Sequence, residues 1–273
     1  MNRKVMKRGF LGVAACAIAL LATTACSTTE DPGTVNESTV TTSSVNTEGN
    51  ATGVKELPTI NNGDDAMSVL ESGNAMFLNG QYNGDITQAT RENLAANGQT
   101  PHTVVITCSD SRVPPELIFD AGLGELFVIR TAGNVVGDYE VGSVEYAVDH
   151  LHAPLILVMG HSGCGAVDSA IQGGHAGGHV DDILEEIQPS VAQAQAQETE
   201  ASAIADLAEN LNVQNTVNNL MESDIISQAV QNGTLKIASG KYDISTGQIT
   251  YFDTQTNPAS GTTSSASGAS SAQ

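Results

Sequence analysis

The hydrophobic positions of this chain follow two different periods. Residues 103–107 are an unbroken β-branched run, Thr103-Val104-Val105-Ile106-Thr107, and residues 154–160 are a second apolar run, Pro154-Leu155-Ile156-Leu157-Val158-Met159-Gly160. Runs without polar alternation predict strands of a parallel sheet that is covered on both faces. Leu126-Phe127-Val128-Ile129-Arg130 predicts a third strand, and residues 235–238 and 248–252 two more around a turn at residues 243–247. Between them the period changes to that of a helix. Ala66, Val69, Leu70, Gly73, Phe77 and Leu78 share one helical face in residues 64–78, and Asn79-Gly80 is a stop signal. A short helix follows over residues 86–96, ending at Asn97-Gly98. Val144, Ala147, Val148 and Leu151 mark another over residues 141–152, and further helices are expected over residues 180–197, 201–221 and 225–232. Strands alternating with helices predict an α/β fold, a central and mainly parallel β-sheet flanked by helices.

The pattern stops at both ends. Residues 26–56 are rich in Ser, Thr, Asn, Gly and Glu, and residues 254–273 in Ser, Ala, Gly and Thr. Neither stretch has enough apolar surface to offset the entropy of ordering it, so they read as a disordered tether and tail around a domain of residues 57–253. Ahead of the tether, Arg3, Lys4, Lys7 and Arg8 precede an apolar stretch at residues 10–22. This is the layout of a secretory signal peptide over residues 1–25. Thr23-Thr24-Ala25-Cys26 resembles a lipoprotein signal, which implies that Cys26 is the lipidated mature N-terminus; the plainer reading is an ordinary cleavage site with an incidental cysteine. The expected location is the periplasm or cell surface, with membrane contact only through that lipid. The formal charge of the chain is −21, with 31 acidic and 10 Lys or Arg residues. Phosphate binding needs clustered Lys and Arg, so nucleic acid and anionic membrane surfaces are excluded as partners.

The candidate chemistry falls where the two buried runs stop. Cys108 follows the first, while His161 and Cys164 follow the second. Ligand sites of open α/β sheets lie outside the carboxyl ends of the strands. Zinc takes thiolate and imidazole ligands, and a catalytic zinc keeps three protein ligands and one open position. A water in that position has its pKa lowered toward ~7. A second reading stands beside this one: two thiols of an exported protein commonly form a disulfide, with His161 capping the next helix. Asp110 and Arg112, two apart in the intervening loop, suit a bidentate fork. Such a fork keeps the carboxylate ionised and fixes it to accept a hydrogen bond from zinc-bound hydroxide. The plainer reading of that pair is an exposed surface ion pair.

Cys108-Ser109-Asp110-Ser111-Arg112 together with His161-Ser162-Gly163-Cys164-Gly165 resembles the β-class carbonic anhydrases. Gly98-Gln99-Thr100-Pro101, the stretch from Glu125 to Asn134 and the stretch from Gly142 to Val148 are similar to that family as well. The resemblance implies reversible hydration of carbon dioxide to bicarbonate and a proton, with one zinc ion per chain on Cys108, His161 and Cys164. It implies that Asp110 and Arg112 are the catalytic dyad and that Gln99 donates a hydrogen bond to substrate. Phe127, Ala132 and Tyr146 match positions lining the apolar substrate pocket, with Gly165 a further substrate-binding position. In the family Gln99, Phe127 and Tyr146 come from the neighbouring subunit, which implies a homodimer or a multiple of it.

Two other activities fit the same residues. Carbonyl sulfide and carbon disulfide are also linear and apolar, so their hydrolysis could use the same scaffold. A non-catalytic zinc or redox sensor could switch Cys108 and Cys164 between metal and disulfide. His102, His150, His152, His175 and His179 are the candidates for carrying the released proton, and none is assigned a role.

Overall fold

The computed structural model describes residues 57–252. The leader, the tether, Cys26 and the C-terminal tail lie outside the described residues. No described helix is long and apolar enough to cross a membrane.

Strand β1 (Thr103–Cys108) is buried at all six positions. It is flanked by β2 (Leu126–Thr131) and β3 (Leu155–His161), with β4 (Lys236–Tyr242) beyond β3 and β5 (Ile249–Phe252) at the far edge. The order is β2-β1-β3-β4-β5, parallel throughout except for the antiparallel β4–β5 pair. Side chains alternate across a strand, and both faces of β1 and β3 are covered. Val104, Ile106, Ile156 and Val158 pack on one face against α4 (Asp138–Asp149), α7 (Ala201–Met221) and α8 (Asp224–Gln231). Val105, Leu155, Leu157 and Met159 pack on the other against α1 (Gly63–Leu78) and the single turn α3 (Pro115–Ile118). This explains why the sequence reads as runs rather than alternation. Each of these aliphatic side chains is fully buried, and each such burial is worth about 1.5–3 kcal/mol.

Two short helices complete the molecule, one at the amino end of the sheet and one at the site. They are α2 (Gln88–Asn97) before β1 and α5 (Gly165–Gln172) after β3, and α5 packs on α6 (Val180–Gln197). Helix α4 begins at Asp138, three residues before the start expected from its apolar spacing. The Gly137 N–H donates to the Glu140 carboxylate at 3.0 Å, and the acidic side chains of Asp138 and Glu140 favour a helix N-terminus. It ends at Asp149 rather than residue 152, because His152 adopts a left-handed conformation (φ 57°) ahead of Pro154. Gly73, counted on the apolar face of α1, is there for close approach: a Cβ would stand 1.9 Å from the Phe119 carbonyl oxygen.

Candidate metal centre

The parallel register brings the site together. Thr107 pairs with Met159, so Cys108 ends β1 one residue later and His161 ends β3 two residues later, at the same edge of the sheet. Gly163, with φ 64°, turns the chain so that Cys164 stands at the N-cap position of α5. His161 is thus a strand residue and does not cap a helix. The ligand atoms of Cys108, His161 and Cys164 all lie within 4.8 Å of one another, and all three residues are buried.

The disulfide reading is overturned. Both cysteines are free thiols with their sulfurs 4.0 Å apart, against ~2.05 Å for a disulfide. Two Zn–S bonds of ~2.3 Å at the tetrahedral angle would separate the sulfurs by ~3.8 Å, close to what is observed. His161 Nδ1 sits 3.1 Å from the Ser162 carbonyl, so that nitrogen holds the proton and Nε2 presents its lone pair. Nε2 is buried and has no hydrogen-bond partner, a costly arrangement unless a ligand satisfies it. The donor set therefore fits a soft or borderline metal ion. The two sulfurs are also within hydrogen-bonding distance of each other. The hydrogen bond with Cys164 pulls the Cys108 thiol down, and the same bond, with burial, pushes the Cys164 thiol up. Burial opposes protonation of His161, but the Ser162 carbonyl and the nearby negative charge of Cys108 and Asp110 outweigh this and give a net rise.

Asp110 and Arg112 form the expected fork. Arg112 Nε donates to Asp110 Oδ1 at 2.9 Å and Nη2 to Oδ2 at 2.7 Å, and the Arg112 backbone N–H adds a bond to Oδ1 at 2.9 Å. The Arg112 side chain holds the Asp110 carboxyl well below the usual carboxylate range. Asp110 Oδ2 faces the ligand cluster, 3.9 Å from His161 Nε2, so this is more than a surface pair. Arg130 pins the loop from below, donating from Nε to the Cys108 carbonyl at 3.0 Å and from Nη2 to the Asp110 carbonyl at 2.6 Å. The sequence pattern assigns Arg130 no role. A lone cation at the end of an apolar strand was the available signal.

The remaining expected residues divide into two groups. Ala132 directly follows β2, beside Gly133, whose N–H donates to Cys108 Sγ at 3.3 Å. Gly165 is exposed and directly follows Cys164. Both adjoin the ligands within the chain. Gln99, Phe127 and Tyr146 do not. Phe127 pairs with Val104, four residues short of Cys108, which places it ~13 Å back along the sheet. Its ring lies 6.4 Å from that of Tyr146, which in turn packs at 5.2 Å on His150. Gln99 is exposed in the connection from α2 to β1, at the amino end of β1. His102 is buried at that same end, while His175 and His179 are exposed beside Asp181 and Asp182.

Comparison with known proteins agrees with this geometry. The model of the carbonic anhydrase family matches residues 103–249, from the start of β1 to the start of β5. Carbonic anhydrase 2 of Mycobacterium tuberculosis is 38% identical over 193 residues, covering 69% of this chain and 92% of its own length. The carbonic anhydrase of Mycolicibacterium smegmatis is also 38% identical, over 189 residues, covering 67% and 90%. A solved structure from work on two tetrameric β-carbonic anhydrases of Sordaria macrospora superposes with a TM-score of 0.56 at 28% identity, over 61% of this chain and 87% of that one. With three buried ligand atoms at the strand ends, a matching family model and relatives alike over most of their length, the chain belongs to the carbonic anhydrase family and carries its β-class fold.

Proposed function

We propose that this protein interconverts carbon dioxide and bicarbonate, with one zinc ion per chain held by Cys108, His161 and Cys164. The observation that carries this reading is the buried, unpartnered Nε2 of His161, set among two free thiols and facing the Asp110 carboxylate. When bound, zinc supplies Lewis acidity that brings the pKa of water toward ~7. The chain does the rest. Arg112 keeps Asp110 anionic and fixes its orientation, and Asp110 Oδ2 accepts a hydrogen bond from the reacting group. A fixed acceptor selects the attacking geometry, a contribution that grows where water is excluded.

The substrate is neutral and apolar, so it needs an apolar slot rather than charged clamps. Ala132 and Gly165 border that slot within the chain. Gln99, Phe127 and Tyr146 complete it from a second copy, a reading supported by their distance from their own ligand cluster. Tyr146, beside Phe127 of the edge strand β2, is 48% exposed, and Tyr139 on the same helix is 89% exposed, leaving a face where a further chain can pack. The working unit is then a homodimer or a multiple of it. The leader at residues 1–25 and Cys26 support export and lipid anchoring of the domain at residues 57–253.

Zinc titration into chelator-stripped protein tests the site. Hydration activity should rise with added zinc and level off at one equivalent per chain. Activity that persists without zinc, or that never returns with it, would overturn the assignment.

A further inference from the structure

Helix α7 carries an unexpected polar stripe on its buried face. Glu209, Asn212 and Thr216 are 5%, 1% and 1% exposed, and their i, i+3, i+7 spacing puts them on one side of the helix. They lie among Ala208, Val213, Val217 and Leu220, where apolar residues would pack at no electrostatic cost. Glu209 reaches the loop that carries Cys164, while Asn212 and Thr216 reach the turn after β2, which touches Cys108. Glu209 Oε1 accepts from the Cys164 backbone N–H at 3.2 Å. Its other oxygen accepts from Lys241 Nζ at 3.3 Å, and Lys241 is bound in turn by the Asp206 carboxylate. Asn212 Nδ2 donates to the Gly133 carbonyl at 2.6 Å, and the Gly133 N–H donates to Cys108 Sγ at 3.3 Å. Thr216 Oγ1 donates to the Asn134 carbonyl at 2.9 Å. Gly133 and Asn134 are consecutive left-handed residues, φ 68° and 49°, a backbone shape that needs support from outside.

We propose that α7 sets the spacing of the two thiol ligands, with Glu209 the positioning residue for Cys164 and Asn212 the positioning residue for Cys108. Lys241 holds Glu209 in place. The proposal rests on the metal-site reading above. A helix is a rigid rod, and residues three apart on it are separated by ~4.5 Å along the axis. That is the scale of the 4.0 Å between the two sulfurs. Two anchors on one helix thus fix two loops that come from different strands, so the thiols keep their separation when the metal leaves. Outer-shell partners of this kind commonly govern metal affinity.

The test compares Glu209→Ala, Glu209→Gln, Asn212→Ala and Leu220→Ala with the parent. Zinc affinity is measured by competition with a chromogenic chelator, and the thiolate-to-metal absorption band is recorded on the cobalt(II)-loaded proteins. Unfolding temperature is recorded on the metal-free ones. Glu209→Ala and Asn212→Ala should each bind zinc about 10–100-fold more weakly and shift the cobalt band. Glu209→Gln keeps an oxygen for the Cys164 N–H but sets its NH2 group against Lys241 Nζ, so its affinity should fall between those of the parent and Glu209→Ala. It also keeps the test decisive if the alanine variant does not fold. Leu220→Ala, in the core at the far end of α7, should lower the unfolding temperature while leaving affinity and band unchanged. Parental affinity in Asn212→Ala and in both Glu209 variants, or an equal loss in Leu220→Ala, would overturn the proposal. A parent that binds no zinc would overturn the site reading itself.

Discussion

Replacing Asp110 by Asn isolates what its carboxylate does. The side chain is only 18% exposed and lies 3.9 Å from His161 Nε2, yet it is not one of the three residues able to hold the metal. Asn keeps the size and can keep the bond from Arg112 Nε through its carbonyl oxygen. At the Oδ2 position it places an N–H group, which then faces Arg112 Nη2 donor to donor and can no longer accept from the reacting group. Losing one charge-assisted hydrogen bond in a partly buried site costs about 1.5–3 kcal/mol. At 1.36 kcal/mol per tenfold, this predicts a loss of about 10–100-fold in the hydration rate. An acceptor used only in the transition state lowers kcat and kcat/KM together. Stopped-flow hydration by Asp110→Asn, with zinc content measured on the same sample, should show parental zinc and the reduced kcat. A variant with parental kcat would refute the role given to Asp110, and one that loses its zinc would show that the carboxylate supports the metal site instead.

Three further outcomes are expected. Cys164→Ser should lose bound zinc and activity together, as read by metal analysis after dialysis, because a serine hydroxyl is a far poorer zinc ligand than a thiolate. The Asp110 carboxyl, followed by carboxyl-carbon NMR in metal-free protein, should titrate below the usual ~3.9, and Arg112→Met should move it back up. Its sign follows: a depressed carboxyl adds stability that is present above about pH 4 and is lost as pH falls through the folded-state value. Mixing two inactive chains, Cys164→Ser and Gln99→Ala, under conditions that exchange subunits should restore activity. A mixed dimer pairs one intact ligand set with the partner subunit's Gln99, and no recovery would place Gln99 outside the site.

Much of the fold is written locally in the chain. β1 and β3 are legible because a strand covered on both faces must be apolar at every position, and Cys108 and His161 are legible as the polar residues that end them. The supports of the site were not legible. Glu209, Asn212 and Thr216 look in sequence like the solvated side of an amphipathic helix, since their partners lie 45, 79 and 82 residues away. Only the packing of α7 against the strand ends turns that side inward. Arg130 is similar: its partners are backbone carbonyls 22 and 20 residues upstream, which carry no side-chain signal. Helix α5 has no clear mark in the pattern either, because its eight residues begin within a glycine-rich turn and carry only two buried side chains, Val167 and Ala170.

Stopped-flow measurement of carbon dioxide hydration by the purified protein, with its metal content determined on the same preparation, tests the central claim most directly. The account predicts fast hydration from neutral to alkaline pH with one zinc per chain, and loss of both on chelation. A protein that carries its full zinc and does not hydrate carbon dioxide at any pH would contradict it.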